Sequence, residues 1–577
     1  MISSKLISDG RVVGFLDMGT NSVRLLLVRI NPNHSYATLT QQKEVVRLGE
    51  GEFVDQVMQP EAMDRAALVC RKFAELSRSY GAEEIIAVTT SAVREARNQS
   101  DFLRRLRQEA DLDVRVISGK EEARLIYLGV SSAVNLDGKE AAFIDVGGGS
   151  TEVIAGDHRH YHLLSSLNLG AIRLTSLFFL PGENGPVTAE RYALVQRHVR
   201  MTAVRTLQQM HAHRFGRAFG SSGTAENLAV IAARALHNRP RQHEDVLSYR
   251  DLKEVVEMLC ALPLEARRKV PGINPERADI IIAGAAILQT LMQELKFAEL
   301  HVVRDRGLRE GLLIDYLSRG EHAQLIRGLS VRERSVLQLG RACGFDEAHG
   351  KHVAQLALEL FDRAKKIGLH HLGAHERELL GYAAQLHDIG TFLSYNNHHV
   401  HTYYLIRNAE MLGFDQSEIG LIAMTALFHR KALPTKKHGE IKELDKRSRK
   451  IVQMLSVLLR LAEVLDRSHT RAVKHVGLRA AGENALVLEI HAAHDCQLEL
   501  WGIQSQMKAA QKALDREIRI KVIGGKKPRP ALKIPRLSRR SSPLSRSPSP
   551  NQRKAGRRNF RCSATGAEPP SPARRGS

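Results

Sequence analysis

A duplicated two-lobe α/β fold followed by an all-helical domain is what this sequence predicts, and three observations predict it. An apolar run ending in Asp, a small-residue turn and a second apolar run occur twice, at Asp17 and at Asp145, 128 residues apart. Strand-like and helix-like segments alternate around both copies, the texture of packed α/β layers. From about Glu321 to about Arg471 helical periodicity dominates, His becomes frequent and strand patterns vanish.

The elements follow in order. Val12 to Leu16 reads as a strand, Met18-Gly19-Thr20-Asn21-Ser22 as a turn and Val23 to Ile30 as the returning strand. Glu61–Tyr80 has helical periodicity, Ile85–Val88 reads as a strand, Asp101–Ala110 as a helix and Val114–Ile117 as a strand. Ser118 with Glu121 three residues later is a capping-box pattern, so a helix is expected to start there, with Glu121 folded back on its own N-terminus. The second hairpin runs from Ala141–Ile144 through Asp145-Val146-Gly147-Gly148-Gly149-Ser150 into Thr151–Ile154. Gly220-Ser221-Ser222-Gly223-Thr224 leads into a helical stretch, Ala225 to Leu236. Residues 472–523 alternate apolar and polar, as a small α/β module would.

The 577 residues are 43% hydrophobic and 26% charged, enough apolar surface for several ordinary cores. Five scattered cysteines without a C-x-x-C pair suit a reducing cytoplasm and exclude a disulfide scaffold or a zinc-thiolate site. The first apolar run is cut by Asp17 and Arg24, unlike a signal peptide. The most apolar stretch, Ile280 to Met292, is too short to span a bilayer, so no transmembrane segment is expected. The net charge of +22 is uneven. Lys526 to Ser577 holds fifteen Lys and Arg against one acid, Glu568, which leaves +8 for everything before it. This tail, rich in Arg, Ser and Pro, is expected to be disordered. The folded part is therefore not basic enough to imply a specific nucleic-acid partner.

The chemistry concentrates in the turns. Glycines let backbone N–H groups approach an anion with no Cβ in the way. Gly19, Thr20, Asn21 and Ser22 in the first turn, and Gly147, Gly148, Gly149, Ser150 and Thr151 in the second, are candidate phosphate ligands. Gly220, Ser221 and Gly223 form a third candidate at a helix start. Asp17 and Asp145 sit where a magnesium ion or its waters could be held. Arg94 and Arg173 are candidates to neutralise phosphate charge.

Asp-x-Gly-Thr-Asn-Ser and Asp-x-Gly-Gly-Gly-Ser-Thr-Glu, joined to Gly-Ser-Ser-Gly-Thr, resemble the actin-like (ribonuclease H-like) ATPase and sugar-kinase superfamily. Four further stretches begin at Thr89, Ile117, Leu169 and Gly307: Thr-Thr-Ser-Ala-Val-Arg-Glu-Ala, Ile-Ser-Gly-Lys-Glu-Glu-Ala-Arg-Leu, Leu-Gly-Ala-Ile-Arg-Leu and Gly-Leu-Arg-Glu-Gly. Together they resemble the exopolyphosphatase / guanosine pentaphosphate phosphatase family over about residues 12–523. Arg304 departs from the Ser usual there.

The resemblance implies a magnesium-dependent phosphohydrolase. Glu122 would be the catalytic base, Arg94 a phosphate-neutralising partner, and Asp145, Glu152 and Asp17 metal carboxylates. At its ordinary pKa Glu122 would be ionised at pH 7. The substrate would be inorganic polyphosphate or, by the same chemistry, guanosine pentaphosphate; a catalytically silent polyanion-binding module is the rival class. A cytoplasmic homodimer is expected. The order His352, His387-Asp388, Asp466 resembles the HD phosphohydrolase domain and implies a possible second metal site, with His398, His399, His401 and His429 as further candidate ligands. The expected organisation is lobe I at 1–131, lobe II at 132–320, an HD-like helical domain at 321–471, the small module at 472–523 and the tail at 524–577.

Overall fold

The structure, a computed structural model, describes residues 10–33, 35–136, 138–240, 245–319, 329–409, 411–431, 433–434, 439–442, 444–482 and 484–524. The basic tail and its expected disorder lie outside these residues, as does the expected boundary at 320/321.

The first sheet has the order β3-β2-β1-β4-β5, from β1 (Arg11–Met18), β2 (Ser22–Ile30), β3 (Tyr36–Val45), β4 (Glu84–Thr89) and β5 (Val114–Val116). The second has the order β10-β11-β9-β6-β7-β8, from β6 (Ala141–Val146), β7 (Thr151–Gly156), β8 (Tyr161–Leu167), β9 (Arg217–Ser221), β10 (Asp245–Ser248) and β11 (Glu299–Val302). In both, an antiparallel meander of three strands gains a parallel partner beside its first strand, β4 on β1 and β9 on β6. The sequence repeat is thus a structural one. Its register holds to the residue: Asp17 faces Arg24 and Asp145 faces Glu152.

The leading strand β1 is buried on both faces, as its unbroken apolar run demands. Its side chains alternate between two cores. Leu16 and Met18 pack with Phe73 and Phe102 from the helices Pro60–Ser79 and Gln99–Ala110. Val13 and Phe15 pack on the other side with Leu125 and Ile126 of the helix Gly119–Ser131 and Leu312 and Leu313 of the helix Leu308–Leu317. The same cluster takes in Phe143 and Phe219 from the second sheet, so this helix pair lies between the two sheets. The pair crosses at closest approach through glycines. A Cβ on Gly129 would collide with Gly307 O, and one on Gly311 with Leu125 O. The far face of the second sheet packs under the helices Ala189–Met210 and Ile281–Glu294.

After lobe II come the helices Val331–Ala342, Glu347–Lys366, Ala374–Leu386, His398–Asn408, Gln416–Leu427 and Lys446–Val464. A three-stranded sheet follows, β12 (Val473–Ala480), β13 (Ala485–Ala492) and β14 (Glu517–Ile523), with the helix Gln497–Leu514 carrying the parallel crossover. One hydrophobic cluster joins Leu379 and Leu458 of the helices to Leu488 and Ile503 of this module.

One local expectation changes. Ser118 caps its helix by accepting the Glu121 N–H (3.2 Å), but the Glu121 carboxylate turns to Arg124 (2.8 and 2.9 Å) instead of closing the box. Arg124 also reaches Asp315 (2.9 Å), so a bidentate charge pair outcompetes one backbone donor and ties the two central helices together. Arg304, the residue out of pattern, pairs with buried Asp245, which Arg239 also contacts at 3.0 Å.

Candidate active site

The two Gly-rich turns are built alike and face each other. Gly19 N–H donates to Ser22 O and Gly147 N–H donates to Ser150 O, both at 3.0 Å. The carbonyls behind them are tied back. Thr20 O accepts from Gly49 N–H (3.0 Å), Gly147 O from Ala171 N–H (2.9 Å) and Gly148 O from Ile172 N–H (2.8 Å). In a planar trans peptide the C=O and the next N–H point in opposite directions. Anchoring these carbonyls therefore aims the N–H groups of Asn21, Gly148 and Gly149 the other way. None of the three has an acceptor among the described residues. The turns are in contact: a Cβ on Gly148 would lie 3.0 Å from Thr20 Cβ, and one on Gly149 would collide with Ser91 Oγ.

Between the turns is a cavity of about 100 Å³. Asp17, Glu122 and Asp145 line it with Arg24, Arg277 and Arg306. Asn21 is buried with neither side-chain polar atom hydrogen-bonded, an orphan where a ligand would satisfy it. Glu122 sits on the first turn of Gly119–Ser131, held by Arg94 Nη1 at 3.0 Å; Arg94 in turn donates to Ile117 O at 2.9 Å. Ser221 Oγ donates to Asp145 Oδ2 at 2.5 Å, and Ser222, in the left-handed region at φ 74°, donates to Val146 O at 2.7 Å. The third loop is thereby strapped to the second.

Burial crowds the carboxylates. It pushes Glu122 up to about 7 against the pull of Arg94, with Asp17 and Asp145 adding repulsion. The expectation of an ordinary, fully ionised Glu122 at pH 7 is thus corrected. Burial likewise raises Asp17 to about 6 against Arg24, and raises Asp145. Glu152 stands behind the cavity wall and accepts from Ser166 Oγ at 2.7 Å; burial and then Glu122 and Asp145 hold it well above the carboxylate range. A site that concentrates hard oxygen donors at such cost fits a divalent cation taking one or two carboxylates plus substrate oxygens.

Residues 26–320 match the Ppx/GppA phosphatase family, and residues 331–506 match domain III of Ppx/GppA phosphatases. The chain belongs to the Ppx/GppA phosphatase family. An exopolyphosphatase from Cytophaga hutchinsonii shares the fold with a TM-score of 0.50 at 27% identity, over 56% of this chain and 99% of its own. A Ppx/GppA family member from Aquifex aeolicus gives 0.45 at 27% identity, over 54% and 99%. The expected actin-like phosphatase core, helical region and small sheet module are all present in this Ppx/GppA chain. Among the described residues no helix is long and apolar enough to cross a membrane.

Other expected residues stand further off. Arg173 does not line the cavity. It donates to Gly149 O (2.7 Å), pairs with Glu95 (2.8 Å) and stacks on Phe53, bracing the second turn from outside. Thr151 donates to Leu169 O (2.6 Å), and Gly220 packs on Leu300, so both lie behind the loops, whereas Gly223 does line the cavity, under the Arg277 guanidinium. Arg24, Arg277 and Arg306 are cavity residues that sequence reasoning missed. Only Arg24 had a local signal, its place at the start of the strand after the first turn.

In domain III, His387 and Asp388 come together, but His352 turns away to Val473 O (2.8 Å). His349, three residues earlier on the same helix, takes the expected place. Asp466 holds His349 Nδ1 at 2.8 Å.

Proposed function

We propose that this phosphatase is a cytoplasmic exopolyphosphatase that releases terminal phosphates from inorganic polyphosphate. The observation that carries the reading is the cavity between the turns, where unpartnered N–H groups and arginines face a carboxylate base. Terminal phosphoryl oxygens accept from the N–H groups of Asn21, Gly148 and Gly149 and from the hydroxyls of Thr20, Ser22 and Ser150. Arg24 and Arg277 offset the charge that spreads over those oxygens in a loose transition state. Glu122, positioned by Arg94 and by its helix start, takes the proton from the attacking water. A base raised to about 7 suits that step near neutral pH. The leaving group is the chain one phosphate shorter. Magnesium, held by Asp145 and Asp17 with Glu152 behind, would supply charge neutralisation at the phosphoryl oxygens. A homodimer goes with this reading.

The test measures phosphate release from long-chain polyphosphate and from guanosine pentaphosphate side by side. The expected result is a higher kcat/KM on polyphosphate. Release from guanosine pentaphosphate alone would reassign the substrate while leaving the chemistry intact. Release from neither would count for a silent polyanion-binding module.

A further inference from the structure

Lobe II carries two short histidine tracts. His158, His160 and His162 alternate along the turn after β7 and into β8, and His211 and His213 alternate just before β9. Histidine-rich tracts are a metal-binding composition. Two of the five are engaged elsewhere: His158 Nε2 accepts from Leu136 N–H at 2.9 Å, and His211 Nε2 lies 3.0 Å from Glu294 O. His162 and His213 turn instead to one carboxylate. Their Nδ1 atoms lie 2.6 and 2.8 Å from the same oxygen, Glu140 Oε1.

Three separate segments bring these side chains together. Glu140 directly precedes β6, and its carbonyl accepts from Gly216 N–H at 2.8 Å, which fixes the loop of His213 beside it. The His213 ring stacks on Phe215 and on His162, with centroids at 6.0 and 6.1 Å and planes 23° and 21° apart. His162 is the extra residue of a bulge in β8: Ala155 pairs with Leu163 and Gly156 with Tyr161, which skips it. A bulge re-aims a side chain, and this one is aimed at Glu140.

The second nitrogen of His162 has a carboxylate behind it. His162 Nε2 is 3.6 Å from Asp157 Oδ2, and the other Asp157 oxygen accepts from Arg159 N–H at 2.6 Å and from His160 N–H at 2.9 Å. With its proton on Nε2, the His162 ring faces Asp157 with a donor and presents the Nδ1 lone pair to Glu140. A lone pair opposite a carboxylate oxygen calls for a cation between them. A carboxylate behind one imidazole nitrogen is the usual way to orient the other toward a metal. The ligand atoms of Glu140, His162 and His213 all lie within 4.8 Å of one another. Ligands at about 2.1 Å from one tetrahedral ion are about 3.4 Å apart, so the carboxylate and the rings need to separate by less than about 1 Å to admit it.

We propose that Glu140, His162 and His213 form a binding site for zinc or a similar divalent transition-metal ion. Two imidazoles and one carboxylate favour such an ion over magnesium or calcium. Three protein ligands leave a position for water, and the half-exposed His162 ring marks the side from which the ion enters. The ion would join the residue before β6, the bulge of β8 and the loop before β9. Asp145 lies near the far end of β6 and Ser221 at the far end of β9. The site therefore ties together, from the end away from the cavity, the strands that carry those two residues. It shares no residue with the cavity, so the proposal does not depend on the polyphosphate reading.

The full chain is stripped with chelator, loaded with zinc in magnesium buffer, desalted and analysed for metal. The readout is the difference between wild type and variant, so ions bound elsewhere on the chain cancel. His162→Gln, His213→Gln and Glu140→Gln are each expected to hold about one zinc ion fewer than wild type, and His211→Gln as many as wild type. Zinc is expected to raise the melting temperature of wild type by more than that of the three variants. Circular dichroism checks that each variant is folded; if Glu140→Gln is not, the two histidine variants carry the test. Wild-type zinc content in either His162→Gln or His213→Gln, or an equal loss in His211→Gln, overturns the proposal.

Discussion

Arg24 and Glu152 occupy the same register position in the two lobes, Arg24 opposite Asp17 on β1 and Glu152 opposite Asp145 on β6. The duplicated frame thus carries a basic side chain and an acidic one at the same place. In lobe I a guanidinium opposes the rise of Asp17, and in lobe II a second carboxylate sits beside the first.

That asymmetry divides two kinds of defect. Arg24→Ala is expected to lower kcat/KM for phosphate release roughly 10²-fold, with partial recovery in Arg24→Lys and little change in magnesium dependence. Asp145→Asn and Glu152→Gln should instead raise the magnesium concentration giving half-maximal rate, Asp145→Asn the more because it lines the cavity. Rate against magnesium concentration measures both. Unchanged half-saturation in both lobe II variants would remove the metal from that lobe.

Glu122→Gln keeps the shape and the hydrogen bond to Arg94 but cannot take a proton. The expected loss in turnover is roughly 10²–10⁴-fold, with polyphosphate still bound. Glu121→Gln, next along the helix, should be mild, because it only weakens the exchange with Arg124. Single-turnover rates and equilibrium binding separate the two residues; near wild-type turnover in Glu122→Gln would place the base elsewhere.

Glu52 gives a prediction in stability. It is fully buried, neither oxygen has a hydrogen-bond partner, and burial pushes it up to about 8, with Arg173 opposing and Glu95 adding. A carboxyl raised above its unfolded value of 4.5 favours the folded state only while protonated. Its contribution is complete below 4.5 and is lost as pH rises toward 8. Glu52→Gln should therefore change little at pH 5 and gain about 1–3 kcal/mol at pH 8. Denaturant midpoints at the two pH values test this, and an equal shift at both would contradict it.

Much of the core was legible because its chemistry is local. Each turn is one short stretch, so Asp17 and Asp145 could be read directly, whereas Glu122, on a helix between them, came from the resemblance. Arg277 and Arg306 could not, since they reach the cavity from segments that only the fold brings near. His349 and His352 show a finer limit. They lie three apart on one helix, close to the same face, and only the packing of β12 decides that His352 meets Val473 while His349 meets Asp466. Glu121 failed differently: the capping pattern was real, but Arg124 offered its carboxylate a stronger partner.

The anchoring of the second turn also governs how the sequence is free to change. Gly148 O is held by the backbone of Ile172 and Arg173, and a Cβ on Gly170 would collide with that same oxygen. A Cβ on Gly148 would in turn press on Thr20 across the cleft. A side chain at Gly170 would push the second turn off its anchor and one at Gly148 would press on the first turn, so accepting either needs a compensating shift in a segment more than twenty positions away. Such steps are rare in evolutionary drift. The surrounding helices can exchange one apolar residue for another, whereas these two glycines are expected to persist together or to be lost together with activity.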